Sequence, residues 1–312
     1  MRRLSSILIA IFCMTIFLAN AQEQKVILIT GTASGIGKAT AETLIEKGHT
    51  VYGGDIQVEA NLYLNDIGGH ALIMDVTKDD QVKTGVQKVI DEQGRIDVLI
   101  NNAGYGSFST IENIDIAELQ NQFDVNVFGY ARLQQAVLPH MRKQRSGLVI
   151  EVSSVVGEIS YPMLGWYAAT KHAVEAMADA LRQEVAPFGI DVVKIQPGAV
   201  KTNFPNVALA KLDDADIPDD YKQLAADFKL VVEGTYEYNA ESTDGTVGFI
   251  VQAIESENPK TEYRTTPSAK MAIMVKGSMT EKEHDELNDR QFKEAVLYLR
   301  RAKEASEKKK GN

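Results

Sequence analysis

Hydrophobic positions from Lys25 onward alternate between short continuous runs and runs spaced three or four residues apart. The continuous runs predict buried strands, and the spaced runs predict amphipathic helices. Predicted strands cover 26–30, 51–55, 71–75, 96–101, 147–153 and 191–196, and predicted helices include 35–47, 116–142 and 167–187. This alternation predicts an α/β fold: a doubly wound parallel sheet between two helical layers, a three-layer α/β/α arrangement in a single domain.

The regular alternation stops after Thr202. Residues 203–240 are acidic and irregular, with five aspartates between positions 213 and 220. Such a segment is either a solvated loop with one or two short helices or a mobile lid over a neighbouring cleft. A helix resumes at 244–255, and residues 281–312 predict a charged C-terminal helix with a basic tail, so the main folded domain is expected to span 22–280.

The first 21 residues have the pattern of a targeting segment. Arg2 and Arg3 precede an apolar stretch at 4–18, and Ala19-Asn-Ala21 forms a small-residue cleavage pattern. This predicts a signal peptide, with an uncleaved signal anchor as the alternative. We therefore expect export to a periplasm or secretory-pathway lumen, or membrane association through residues 4–18, and a cytoplasmic location is the alternative. Cleavage would remove Cys13, the one cysteine, and leave no disulfide or thiolate chemistry.

Composition narrows the classes of partner. The hydrophobic fraction of 44% is enough for a buried core, and the net charge of −10 argues against nucleic acid, which needs a basic face. The five histidines have no paired spacing, so no metal site is predicted. A small-molecule substrate is the remaining expectation.

Three residues have the spacing of a catalytic group. Tyr167 and Lys171 are four residues apart on a predicted helix and therefore share a face, and Ser154 lies thirteen positions before the tyrosine. A nearby cation lowers the pKa of a phenol, which allows proton transfer near neutral pH. Ser153 is the alternative to Ser154 as the catalytic serine. Because side chains alternate along a strand, only one of the two can face the tyrosine.

A glycine-rich turn, Thr30-Gly-Thr-Ala-Ser-Gly-Ile-Gly37, joins the first predicted strand to the first helix. Its glycines let the backbone approach a pyrophosphate, which the helix N-terminus attracts. Asp55 ends the second strand, where a carboxylate accepts hydrogen bonds from the adenosine ribose and repels a 2′-phosphate. No arginine or lysine lies between Tyr52 and Ala60, so NAD is predicted over NADP, although Lys38 could also meet a phosphate.

Further motifs follow in order: Asp75-Val76, Asn101-Asn-Ala-Gly104, Asn126 in Asp-Val-Asn-Val-Phe-Gly129, and Pro197-Gly198 with Val200 and Thr202. With the glycine-rich turn, Ser154 and Tyr167-x-x-x-Lys171, they resemble the short-chain dehydrogenase/reductase family from Lys25 to about Thr202. The surroundings of 101–108 and 125–129 are similar to 17β-hydroxysteroid-dehydrogenase-like and retinol-dehydrogenase-like members. The resemblance implies a Rossmann-type fold of the compact, single-domain type.

The resemblance also implies roles. Tyr167 would exchange a proton with the substrate oxygen, and Lys171 would lower the pKa of Tyr167 and bind the nicotinamide ribose. Ser154 would hold the substrate oxygen, and Asn126 would steady the local backbone and a proton-relaying water chain. The cofactor contacts that it implies are Gly31, Ser34, Gly35, Ile36, Gly37, Asp55, Asp75, Val76, Asn101, Ala103, Gly104, Tyr167, Lys171, Pro197, Gly198, Val200 and Thr202.

These residues predict an NAD(P)-dependent alcohol dehydrogenase or carbonyl reductase. A non-catalytic NAD(P)-binding sensor or scaffold on the same fold is the alternative. Tyr161, Met163, Leu164, Trp166 and Phe204 are candidates for a substrate pocket, and their apolar character suggests a hydrophobic alcohol or ketone. Family resemblance also implies a homodimer or homotetramer through the helices 116–142 and 167–187.

Overall fold

The computed structural model describes residues 23–310 of the chain. The predicted signal segment, 1–21, lies outside the described residues. The strands are β1 Val26–Thr30, β2 Thr50–Asp55, β3 His70–Ile73, β4 Val98–Asn101, β5 Gly147–Val152, β6 Ile190–Gln196 and β7 Glu262–Arg264. The helices are α1 Gly35–Glu46, α2 Val58–Asn61, α3 Tyr63–Asp66, α4 Asp79–Gln93, α5 Ile116–Phe123, α6 Gly129–Gln144, α7 Gly165–Val185, α8 Phe204–Asp213, α9 Asp219–Tyr238, α10 Thr243–Glu255, α11 Pro267–Gly277 and α12 Glu281–Lys310.

The strands form one parallel sheet in the order β3-β2-β1-β4-β5-β6-β7. The strand order reverses between β1 and β4, so their carboxyl ends leave a crevice at which doubly wound sheets bind ligands. The predicted Rossmann-type fold is therefore confirmed.

Two apolar layers cover the sheet and confirm the α/β/α arrangement. One core lies under α4, α6 and α7, and the other lies under α1 and α10. Strand residues alternate between these cores: Leu99 and Val149 face the first, whereas Val98 and Ile150 face the second. Both faces are thus buried, which explains why the strands read as continuous hydrophobic runs.

The predicted helix 116–142 is interrupted. A π-helical turn, Asp124–Phe128, separates α5 from α6. Inside this turn the Asn126 amide donates to the carbonyl of Tyr105 at 2.9 Å and to the hydroxyl of Thr170 at 3.1 Å. Such turns are frequent at functional sites, and this one points a polar side chain into the protein interior.

The segment 203–240 is more ordered than its acidic composition suggested. It forms α8 and the 20-residue helix α9, which pack with α12 into an apolar cluster containing Phe108, Leu209, Leu212 and Phe228. The expectation of a solvated loop with short helices was therefore wrong. Its aspartates serve local roles: Asp219 and Asp220 begin α9, where acids are favoured, and Asp213 pairs with Lys229 at 2.6 Å.

The structure has further elements that were not predicted, namely α2, α3, α4, β7 and α11. The three-residue strand β7 is too short to show alternation, and the helix α11 begins at Pro267, which Thr266 caps through the Ala269 N–H at 3.1 Å. Within residues 23–310, none of the helices is both long and apolar enough to cross a bilayer.

Candidate active site

The β1–α1 turn is shaped for close approach of an anion. Gly31 and Gly35 have φ values of 75° and 58°, in the left-handed region that glycine adopts without strain. The Asn102 amide donates to the carbonyls of Thr30 at 2.9 Å and Gly31 at 3.1 Å, which holds the turn in place. Ser34 makes no side-chain cap and the first turn of α1 has no acidic residue, so backbone N–H groups there remain available to a pyrophosphate.

Asp55 lies at the end of β2, beside this turn. Its carboxylate accepts hydrogen bonds from the N–H of Ala33 at 2.9 Å and from the N–H of Gln57 at 2.8 Å. The side chain is therefore fixed at the cleft wall, with lone pairs left for ribose hydroxyls. Lys38 instead lies 4.6 Å from the ring centroid of Tyr63 and pairs with Glu42.

A single cleft of about 1560 Å³ runs along the carboxyl ends of the strands. Most of the predicted cofactor contacts line it: Gly31, Ser34, Gly35, Ile36, Asp55, Asp75, Val76, Ala103, Gly104, Tyr167, Lys171, Pro197, Gly198, Val200 and Thr202. The cleft exceeds the usual size of a small-molecule pocket, and it has room for a dinucleotide and a second molecule.

Two predicted contacts do not line the cleft. Gly37 lies behind the turn, where an added Cβ would collide with the carbonyl of Gly31 and come within 2.5 Å of Asn102 Nδ2. Asn101 is fully buried, and its amide donates to the Glu151 carboxyl at 3.1 Å. The alternation of side chains along β4 points it to a helix-covered face of the sheet and away from the cleft. The neighbouring Asn102 reaches the cleft instead.

Ser154, Tyr167 and Lys171 meet at the middle of the cleft. Ser154 and Tyr167 both line the cleft, and the serine hydroxyl lies close enough to influence the charge of the phenol. Ser154 precedes a short turn, and its oxygen accepts from the N–H of Val156 at 3.3 Å. Lys171 follows Tyr167 by one helical turn and donates its ammonium to the carbonyl of Val152 at 2.8 Å. Three of the four predicted catalytic side chains, Ser154, Tyr167 and Lys171, therefore line the same cleft.

Burial controls the charges of this group. It raises the pKa of Tyr167 well above its ordinary value, and the neighbouring Ser154 hydroxyl opposes that rise. It lowers the pKa of Lys171 to about 8, against the attraction of Glu151 and Glu175. In this arrangement the ammonium of Lys171 is held by the carbonyl of Val152, and the Ser154 hydroxyl lowers the pKa of the phenol.

Asn126 lies beneath the site and does not line the cleft. Its side-chain oxygen accepts from the N–H of Tyr105 at 3.0 Å, and its amide donates to Thr170 on α7. An added Cβ on Gly104 would lie 3.1 Å from this oxygen and 3.7 Å from Lys171 Nζ, so Asn126 and Lys171 flank the same glycine. Asn126 therefore ties the loop after β4 to the helix that carries Tyr167 and Lys171.

An apolar wall extends from the catalytic tyrosine. The ring of Phe204 lies 5.3 Å from that of Tyr167, the ring of Phe108 lies 6.3 Å from Phe204, and Phe228 lies 5.2 Å from Phe108. Among the candidate pocket residues, Tyr161, Leu164 and Phe204 line the cleft. Met163 packs in the core behind it, and Trp166 does not line it but donates to the carbonyl of Ile111 at 3.0 Å.

Sequence reasoning offered the segment 203–240 as a lid over the cleft but did not identify the side chains of α9 that line it, and it missed Glu151. Residues of α9 line the cleft at Leu224, Asp227, Phe228, Val231, Val232, Thr235 and Tyr236. Their three-and-four spacing was a readable helical signal that the five nearby aspartates obscured. Glu151 is fully buried between Ile150 and Val152, and an acid within an apolar strand run was also visible in the sequence. Within residues 23–310, no cluster of three or more His, Cys, Asp or Glu side chains is placed to hold a metal ion.

Comparison with known proteins agrees with this geometry. A family model described as short chain dehydrogenase matches residues 25–212. A 3-ketodihydrosphingosine reductase of Bacteroides thetaiotaomicron is 44% identical over 183 residues, which cover 58% of this chain and 66% of that protein.

Two further matches extend beyond the catalytic motifs. An NADPH-dependent 3-dehydrocapnine reductase of Ornithobacterium rhinotracheale is 34% identical over 265 residues, covering 81% of this chain and 90% of the relative. The crystal structure of a short-chain dehydrogenase from Streptomyces avermitilis superposes with a TM-score of 0.74 at 30% identity, covering 86% of this chain and 98% of the other.

Proposed function

This chain belongs to the short-chain dehydrogenase/reductase family, and from that premise we propose that its substrate is a long-chain amino ketone of the sphingoid-base type. The protein is an NAD(P)-dependent oxidoreductase that transfers hydride between a nicotinamide cofactor and an alcohol or ketone. The proposal concerns three points: the identity of the ketone, the direction of the reaction, which is reduction, and the preference for NAD over NADP.

The residues of the site divide the chemistry among them. The bound nicotinamide supplies the hydride, and Gly31, Ser34, Gly35 and Asp55 would hold the dinucleotide. Ser154 would donate a hydrogen bond to the ketone oxygen, stabilising negative charge that develops there. Tyr167 would donate the proton that turns this oxygen into a hydroxyl. Lys171 would stabilise the tyrosinate that remains.

The observation that carries the proposal is the apolar wall that begins at Tyr167. The rings of Phe204, Phe108 and Phe228 lead from the phenol into the cluster beneath α8, α9 and α12. A ketone held by Tyr167 would therefore have its substituent in an apolar environment, where buried methylene groups contribute about 0.8 kcal/mol each. An alkyl chain uses this environment better than a polar substituent.

The cleft-lining face of α9 is mostly apolar and ends in hydroxyl groups; its one acid, Asp227, pairs with Arg300 on α12. Cleft-lining positions from Leu224 to Tyr236 cover about 18 Å at the helical rise. Val231 and Val232 lie along this stripe, and Thr235 and Tyr236 end it, with Tyr236 within electrostatic range of Tyr167. This matches a molecule whose polar end carries the reacting ketone and whose other end is an extended chain. The names of both relatives describe reductases whose substrates are oxidised at position 3.

Replacing Val232 by asparagine tests the chain-binding wall. A buried amide without a partner costs about 1–3 kcal/mol, so the KM for 3-ketodihydrosphingosine should rise by roughly tenfold. The KM for a short-chain 2-amino-3-ketone should change little. Steady-state kinetics with NADH measure both, and Val232→Leu, which keeps the wall apolar, is the matched control. Equal effects on long and short ketones would contradict this placement of the chain.

Asp55 supports a preference for NAD over NADP. Its fixed carboxylate would repel a 2′-phosphate, and Lys38 is engaged with Tyr63 and Glu42. Asp55→Asn should tighten NADPH binding by roughly tenfold because the repulsion disappears. Fluorescence titration measures this, with Glu59→Gln as a control that removes a nearby charge outside the cleft. Tighter binding of NADPH than of NADH to the unaltered protein would overturn the preference.

Location and assembly complete the proposal. Residues 1–21 support export or membrane association. Export would be contradicted by activity of a C-terminal fusion whose reporter functions only in the cytoplasm. The helices α6 and α7 are proposed to pair between subunits in a homodimer or homotetramer. Light scattering at micromolar concentration tests this, and a monomer would refute it.

A further inference from the structure

A row of polar side chains crosses the buried sheet beside the active site. Asn101 on β4, Glu151 on β5 and Lys194 on β6 are register partners, and Glu262 on β7 continues the row. Register partners point to the same face, here the face covered by α6 and α7, which alternate residues of the same strands also line. Asn101, Glu151 and Lys194 are buried, so each charge in the row needs a partner.

The helix α7 carries a complementary stripe. Lys171, Glu175 and Asp179 are spaced by four residues and so share one face of the helix. Lys194 on the sheet lies 2.9 Å from Glu175 and 2.9 Å from Asp179. The acids of α7 are thus matched by the cation of β6. On the neighbouring strand β5 the charges are reversed: the sheet contributes the acid Glu151, and α7 contributes the cation Lys171.

The direct partners of Glu151 are neutral. Its carboxyl accepts from the amide of Gln134 on α6 at 2.9 Å and from the amide of Asn101 at 3.1 Å. Both amides act as donors, so the carboxyl oxygens of Glu151 act as acceptors, and this favours the ionised carboxylate. Burial raises the pKa of Glu151 to about 7, while Gln134, Asn101 and the charge of Lys171 oppose this rise. The carboxyl therefore becomes charged within the neutral range.

Lys171 lies near Glu151 at the carboxyl end of β5. Its ammonium donates to the carbonyl of Val152, the residue after Glu151, which the Tyr130 hydroxyl also contacts at 3.0 Å. The titratable groups near the ammonium are Tyr130 from α6, Glu175 from α7 and Glu151 from β5, and Tyr167 lines the same cleft one helical turn away. Among them, Glu151 makes the largest contribution that favours the charged lysine.

We propose that Glu151 is a positioning residue of the hydride-transfer site, whose buried carboxylate keeps Lys171 in its ammonium form. Glu151 does not line the cleft, so it acts through Lys171 and not on the substrate. The negative charge of Glu151 raises the pKa of Lys171. Lys171 therefore keeps its positive charge, which a tyrosinate at Tyr167 requires, up to a higher pH. The inference depends on the Tyr167–Lys171 pair and is independent of which ketone the enzyme reduces.

The titration of Lys171 itself tests this proposal without turnover. Lysine side chains of the full chain are labelled with ¹³C at Cε, and Lys171→Met identifies the resonance of Lys171. Glu151→Gln, which keeps the shape, should lower the titration midpoint of Lys171 by about half a pH unit or more. Glu262→Gln is the matched control, since it removes an acid from the edge of the same row and should leave the midpoint unchanged.

A second variant covers the case in which Glu151→Gln does not fold. Gln134→Leu removes the donor at 2.9 Å from the carboxylate, so Glu151 stays protonated to higher pH and the midpoint of Lys171 falls by a smaller amount. The alkaline limb of the ketone-reduction rate should move in the same direction in both variants. A Lys171 midpoint that stays at its original value in every folded variant would overturn the proposal.

Discussion

Replacing Tyr167 by phenylalanine is expected to reduce ketone reduction by about 10²–10⁴-fold while leaving NADH binding close to that of the unaltered protein. The phenol lies near Ser154 and one helical turn from Lys171, so removal of its hydroxyl takes away the proton donor and little else. The ring of the new phenylalanine would retain the contact with Phe204. Stopped-flow measurement of NADH oxidation and fluorescence titration of NADH separate chemistry from binding.

The same variant distinguishes an enzyme from a sensor. A sensor or scaffold uses the cleft for binding alone, so loss of one hydroxyl would leave its signal and its slow background turnover unaltered. Unchanged turnover in Tyr167→Phe would remove this tyrosine from the mechanism. Ser154→Ala provides a graded comparison, because it should lose the stabilisation of the oxygen and retain the proton donor.

Replacing Gly37 by alanine is expected to weaken NADH binding by more than about tenfold and to destabilise the fold by about 1–3 kcal/mol. The new methyl group would meet the Gly31 carbonyl and approach Asn102 Nδ2 to 2.5 Å. Both atoms belong to the hydrogen-bonded turn that presents the start of α1 to the cleft. Relief of the collision therefore requires the turn to open.

Urea unfolding and NADH titration measure the two effects of Gly37→Ala. Gly248→Ala is the matched control, because an added Cβ at this position in α10 meets no atom within 4 Å. Alanine should there be neutral or stabilise the helix by up to about 1 kcal/mol. A Gly37→Ala protein with normal stability and NADH affinity would contradict the close packing described for the turn.

The core of the site could be predicted because its spacing reflects local geometry. Tyr167 and Lys171 share a helix face, and Ser154 follows the strand that ends beside them. The glycine-rich turn and Asp55 likewise follow directly from the ends of β1 and β2. Parallel strands bring these ends to one edge, so the order of motifs along the chain was enough to predict their meeting.

The remaining features depend on contacts distant in sequence. The acidic composition of 203–240 suggested solvation, yet Lys229 and Arg300 pair with its aspartates, and its apolar face packs on Phe108 and α12. Asn101 was assigned to the cleft, although the partner that holds it in the sheet, Glu151, lies on a strand 50 residues later. Single-segment patterns carry no information about such pairings.

Transfer of deuteride from the C4 position of labelled NADH to 3-ketodihydrosphingosine tests the central claim most directly. Mass spectrometry of the product, with Tyr167→Phe run in parallel, detects the new C–D bond. We predict an alcohol one mass unit heavier than the unlabelled product, formed by the unaltered protein and strongly reduced in the variant. Tight NADH binding with no deuterated alcohol would contradict the proposed substrate, and equal labelling by both proteins would contradict the role of Tyr167.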